Sequence, residues 1–198
     1  MNQNRTQLLF AGLLVVFAIA TRVIFNALHI YNFNAVMAAG LFAGAYLGSR
    51  RMGLAIPLIA MLATDAVMGF YDWHLMLFVY ASIAASVFIG RYYAKNRTLP
   101  RFTGSVLGGS ALFFLVTNGA VWLLAEGAIY PKSLAGLAQC YAAGLPFYRN
   151  TLIGDLLWST VLFGSYELLR LKAPKRALAE ASTGRRDDMS IAGDVSHR

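Results

Sequence analysis

Apolar runs of span length follow one another along most of this chain, and few folds are open to a polypeptide that must keep so many of them out of water. They lie at Gln7 to Leu28, Ala35 to Ser49, Gly53 to Phe70, His74 to Ala94, Thr103 to Ala125 and Tyr148 to Arg170. About 20 apolar residues suffice to cross a bilayer as a helix, so Ala35 to Ser49 is the short one. Hydrophobic residues make up 58% of the sequence and charged residues 13%, with mean hydropathy +0.57, well outside the range of a soluble domain this size. The runs lack the period-two alternation of barrel strands, and lipid admits only helices and closed barrels. The expected fold is therefore all-α, an integral membrane bundle of six transmembrane helices within residues 1–171.

The start, "MNQNRTQLLFAGLLVVFAIATR", imitates a secretory signal, with a basic beginning, an apolar core and Ala18-Ile19-Ala20. The apolar pattern resumes at Val23-Ile24-Phe25, so the run also serves as a first helix that tolerates Arg22. Between the last two runs, "YPKSLAGLAQCYAAGLPFYRN" is too short and too interrupted by Gly144 and Pro146 to cross. Leu134, Leu137, Tyr141 and Leu145 recur at helical spacing, which predicts a short outer interfacial or re-entrant helix. After Leu171 the composition turns polar, as in "STGRRDDMS", and residues 172–198 read as a disordered cytoplasmic tail.

The net charge of +8 is distributed as topology, not as a nucleic-acid footprint. Arg5, Arg50, Arg51, Arg91, Lys95, Arg97, Arg101, Arg170, Lys172, Lys175 and Arg176 fall on one side of the bundle, whereas the opposite loops carry only Lys132 and Arg149. The positive-inside rule then places both termini in the cytoplasm and the loops near Tyr31, Tyr71 and Tyr130 outside. Cys140 is the single cysteine, and neither it nor the lone His29 and His74 has metal-ligand spacing, so neither metal nor cofactor is expected. Phosphate-loop, HExxH and nucleophile-triad patterns are absent from the sequence, which argues against an enzyme.

Four polar residues nevertheless sit deep in the apolar runs. Counting about 1.5 Å per residue, Arg22 lies about 22 Å, Asp65 about 18 Å, Asn118 about 22 Å and Asp155 about 20 Å from the basic side. Helical spacing adds Asn26 and His29 to the Arg22 face, Asp72 to Asp65, Trp122 to Asn118, and Thr151 and Trp158 to Asp155. The first outer loop, with Asn32 and Asn34, can close over such a layer, and Trp73, His74, Tyr141 and Arg149 can rim it. Intramembrane charge is costly, and two explanations stand: a substrate-binding layer of Arg22, Asp65, Asn118 and Asp155, or pairing of Arg22 with a carboxylate that merely holds the bundle together. A separate pattern, Gly40, Gly44 and Gly48 with Gly104 and Gly108, allows close helix approach inside the fold or against a partner.

The segments "FNAVMAAGLFAGAYLGSRRMGLAIPLIAMLATDAVMGF", "SALFFLVTNGAVWLL" and "YPKSLAGLAQCYAAGLPFYRNTLIGDLLWS" together resemble an uncharacterised bacterial family of transport-type membrane proteins. That family in turn resembles the substrate-binding S components of energy-coupling-factor (ECF) vitamin transporters, and the likeness runs from Asn32 to Gly164. The resemblance implies a six-helix subunit that binds a small vitamin-like nutrient near its outer face under the first outer loop. It also implies docking on a transmembrane coupling subunit driven by cytoplasmic ATPases, although Ala11, Ala18 and Ala20 do not reproduce the alanine-rich docking motif of S components. The alternatives are a stand-alone carrier with Asp65 or Asp155 as proton relay, and, from another class, a membrane enzyme or assembly factor.

Overall fold

Backbone amides and carbonyls inside a bilayer have no water to bond, so each apolar run closes its hydrogen bonds within itself as a helix. The structure, a computed structural model, describes residues 3–172. Its elements are α1 (Gln3–Ala27), α2 (Val36–Tyr46), α3 (Arg50–Met68), α4 (Trp73–Ala94), α5 (Leu99–Leu124) and α6 (Leu134–Lys172). Among the described residues every regular element is helical, and α1 from Gln7, α3, α4, α5 and α6 are each long and apolar enough to cross a membrane. That is the make-up of a multi-pass membrane protein. Polar caps mark two of the starts: Ser49 accepts from the Met52 amide at 3.4 Å, and Asp72 from the Leu75 amide at 3.0 Å.

Two expectations are corrected. The segment from Ala35 to Ser49 forms only an 11-residue helix, too short to cross alone, and residues Val36 through Ala45 are all buried. An apolar helix of that length belongs to a protein core, and α2 sits among α1, α3, α4 and α5. The second correction concerns the outer interfacial helix. It is not a separate element, because helix runs from Leu134 to Lys172 with Pro146 inside it. The ring of Pro146 displaces one hydrogen bond without ending the helix. The expected polar tail lies almost entirely outside the described residues.

The chain divides into two units, Met1–Phe163 and Gly164–Arg198. In the second, Glu167 and Arg170 lie 3.8 Å apart on an exposed helical face. In the first, the closest packing is between α2 and α4. A side chain at Gly44 would fall on the Val87 carbonyl, one at Gly90 on the Leu41 carbonyl, and one at Gly40 on the Ser86 hydroxyl. These glycines let two backbones touch. Gly48, Gly104 and Gly108 face open space instead. At the basic end, Arg97 donates to the Ala45 carbonyl at 3.3 Å and lies over the Tyr46 ring, placing a cation on the C-terminus of α2. Phe42, Tyr46, Tyr93 and Phe102 gather around Phe163 there, with ring centroids 5.2 to 5.5 Å away.

Candidate functional site

The polar layer is built around the loop between α1 and α2. Ala27 ends α1, and His29 and Asn32 adopt φ of 59° and 64°, a left-handed conformation that turns the chain back on itself. The backbone then descends into the bundle. The Ala35 amide donates to Thr21 Oγ1 at 3.1 Å, and Thr21 lies six residues before the end of α1, about 9 Å down the helix. Non-helical backbone at that depth is stable only when protein surrounds it. Gly154 of α6 supplies the room: a Cβ there would meet Phe33 and Asn34 backbone atoms at 3.3 and 3.4 Å. The Phe33 ring packs on Phe25 at 4.6 Å and Trp158 at 6.0 Å, while Asn150 donates to the Tyr31 carbonyl at 3.0 Å. The non-helical segment that enters the bundle is thus the loop at residues 28–35, while the stretch before Tyr148 is part of α6.

On one side of this plug lies an ion pair. Arg22 Nη2 donates to Asp65 Oδ1 at 2.6 Å, and Arg22 Nη1 donates to the Met61 carbonyl at 3.2 Å and to Thr64 Oγ1. Tyr80 donates to the other carboxylate oxygen at 2.8 Å, and Asp65 is almost wholly buried. Each oxygen of the carboxylate therefore has a donor, which a buried charge requires. Three of the five N–H groups of the guanidinium are used in these bonds. Arg22 also lines a cavity of about 80 Å³ with Asn26, Tyr31, Asn32, Phe33 and Asn34. Burial pushes the Tyr71 phenol, just beyond α3, up to about 12; the Asp65 charge adds to the rise and Arg22 opposes it.

On the other side Asp155, 3% exposed, shares a 2.6 Å hydrogen bond with Ser110. Among the described residues it has no basic partner. It lines a cavity of about 30 Å³ with Asn32, Asn34, Met37 and Thr151. Asn34 also accepts from the Val36 amide at 3.1 Å, so the same loop residue starts α2 and faces both cavities. Trp158 stands nearby, on the same helix, in an aromatic cluster with Phe17, Phe25 and Phe33, and its buried indole N–H has no partner among the described residues.

The remaining expected site residues lie elsewhere. Asn118 donates to the Phe114 carbonyl at 2.9 Å, its own carbonyl receives the Cys140 thiol at 3.3 Å, and Tyr141 donates to the Leu115 carbonyl at 2.9 Å. That is an α5–α6 contact. Trp122 donates to the Pro131 carbonyl at 3.0 Å, with Lys132 Nζ 4.9 Å from its ring and bonded to the last carbonyls of α5. Arg149 is exposed. Asp72 caps α4, and the Leu75 amide holds its carboxyl below the usual range. Sequence reasoning missed Thr21, Thr64 and Ser110, because Ser and Thr hydroxyls in helices ordinarily bond their own backbone and carry no signal of a partner, and Tyr80, because a tyrosine in an apolar run reads as one more aromatic. Gly154 was legible only as a small residue one position before Asp155.

Neither a curated protein nor a solved structure matches the chain. A family model described as a family of unknown function (DUF6580) matches residues 2–177, and the chain belongs to that family.

Proposed function

We propose that this protein is the small-molecule-capturing membrane subunit of a transporter, taking a small polar nutrient beneath the loop at residues 28–35. The observation that carries the reading is the loop itself, folded into the bundle and sharing the walls of two cavities, a polar one beside Arg22 and a mixed one beside Asp155. Ligand sites for drug-sized molecules occupy about 300 to 1,000 Å³. The 80 and 30 Å³ cavities hold only water-sized contents, so capture requires the loop to withdraw and merge them. The spare donors of Arg22 and the amides of Asn26, Asn32 and Asn34 suit a ligand rich in hydrogen-bond acceptors. Trp158, Phe25 and Phe33 supply apolar contact. Under the positive-inside rule this end faces outward, as uptake requires.

Native mass spectrometry of the gently purified protein tests the reading. A retained small molecule that Arg22→Gln releases, with the helical fold intact, supports it. Absence of any retained or added nutrient, with uptake unchanged by Asp65→Asn, sinks it. Among the described residues Asp155 has no basic partner, which favours a second reading, a proton-coupled carrier without an ATPase partner. Uptake into vesicles holding this chain alone, driven by a pH gradient, selects the second; co-purification with a coupling subunit and its ATPases selects the first.

A further inference from the structure

A wide groove among the described residues is remote from the polar layer and uses none of its residues. It encloses about 790 Å³ between the C-terminal part of α4 and the N-terminal half of α5, lined by Ile89, Tyr92, Asn96, Arg101, Ser105 and Leu112 and floored by Gly104 and Gly108. We propose that it binds one anionic glycerophospholipid of the leaflet on the basic-loop side. The polarity of the groove is graded along its length. At the water end, Thr98 precedes α5 without a side-chain cap, and because Pro100 carries no N–H and the Phe102 amide bonds the Thr98 carbonyl, the Leu99 and Arg101 amides are the two of the first turn left to attract an anion. Beside them Arg101 lies 4.4 Å over the Tyr92 ring and donates to its hydroxyl at 3.2 Å, and among the described residues it has no carboxylate. This end suits a phosphate.

One helical turn deeper stands Ser105, 7% exposed, whose Oγ has no hydrogen-bond partner among the described residues. A hydroxyl in a membrane helix ordinarily bonds a carbonyl one turn back, so its idleness marks a missing acceptor. A turn is about 5.4 Å, the depth at which the ester carbonyls of a glycerolipid follow the phosphate. On either side of Ser105 the floor is bare. A Cβ at Gly104 or Gly108 would meet nothing within 4 Å, so these glycines do not serve contacts within the fold; they leave a trough for a chain. From Arg101 to Leu112 the groove descends about 16 Å, half the thickness of a hydrocarbon core, and so accommodates a single leaflet's acyl chain. A partner helix would match the floor but would leave Arg101 and the α5 amides without an anion.

The test titrates the detergent-purified protein with phosphatidylglycerol and with phosphatidylcholine of matched chains, read by native mass spectrometry. Phosphatidylglycerol is expected to bind one per chain and more tightly. Arg101→Gln should weaken it about tenfold, the loss of one charge-assisted hydrogen bond. Gly104→Leu and Gly108→Leu should abolish it while leaving helix content and elution unchanged, since their side chains enter open space; Ser105→Ala should weaken binding of both lipids. Equal binding of the two lipids, or binding indifferent to the leucine variants, overturns the proposal. So does a leucine variant that splits an oligomer into monomers with lipid retention unchanged, which would assign the groove to a second copy of the chain.

Discussion

Replacing Arg22 and Asp65 singly and together separates the energy of their pairing from any service to a ligand. Arg22→Met leaves the Asp65 carboxylate, 2% exposed at its side chain, with Tyr80 as its remaining donor. Removing one partner of a buried pair typically costs about 3 to 5 kcal/mol, because the other charge stays buried. Asp65→Leu strands Arg22 and the Tyr80 hydroxyl and should cost a similar amount. In the double variant no charge is stranded. What remains is the idle Tyr80 hydroxyl, about 1 to 3 kcal/mol, so the double should be no worse than either single and far from their sum. The coupling energy follows from unfolding of the four proteins in mild detergent, monitored by tryptophan fluorescence. If the singles add to within about 0.5 kcal/mol, the residues act independently and the ion-pair reasoning is wrong. If the double is stable and still fails to retain the ligand that the native protein holds, the pair also serves binding.

Three further outcomes are expected. Gly90→Ala and Gly44→Ala force a methyl onto a carbonyl of the facing helix and should each lower stability by about 1 to 3 kcal/mol or prevent folding, whereas Gly48→Ala should be neutral or mildly stabilising; thermal melts of the three variants check this. Tyr71, whose phenol is pushed up to about 12 by burial, should ionise well above the usual value of about 10 in an ultraviolet titration, read as the step lost on Tyr71→Phe. Because its folded value lies above the usual 10, its contribution to stability is full below pH 10 and falls as pH rises toward 12, and Asp65→Asn should lower its pKa by removing the nearby negative charge. Asn150→Ala removes the 3.0 Å bond to the Tyr31 carbonyl and should cost about 1 kcal/mol locally, seen as faster amide hydrogen exchange confined to residues 28–35.

Legibility differed from residue to residue. The spans were readable because hydropathy over some 20 residues is an additive, local property that needs no knowledge of neighbours. Depth counting put Arg22, Asp65 and Asp155 in one layer, and it could do so because rise per residue is constant along a helix. It could not say which way each helix is rotated. Asn118 has the right depth and bonds within the α5–α6 contact, while Arg22 faces Asp65 and Asp155 faces Ser110. Pro146 and Gly144 read as interruptions, yet helix persists across both. Gly144 sits against the Asn118 side chain, where a Cβ would not fit. The residue types were correct signals of something unusual, but of close packing and not of a chain end.

The linear order of amino acids was enough to establish a helical membrane protein, the approximate limits of its long helices, and the improbable expense of charge within them. Those properties follow from local composition and the fixed geometry of a helix. The tertiary structure alone decided that α2 is a buried core helix, that the loop at 28–35 descends into the bundle, and that the polar residues divide into separate clusters about it. The reason is that a side chain's partner, and the room made by a glycine such as Gly154, depend on which helices meet and at what rotation, and contacts between residues more than a hundred positions apart, such as Asn150 with Tyr31, leave no local trace.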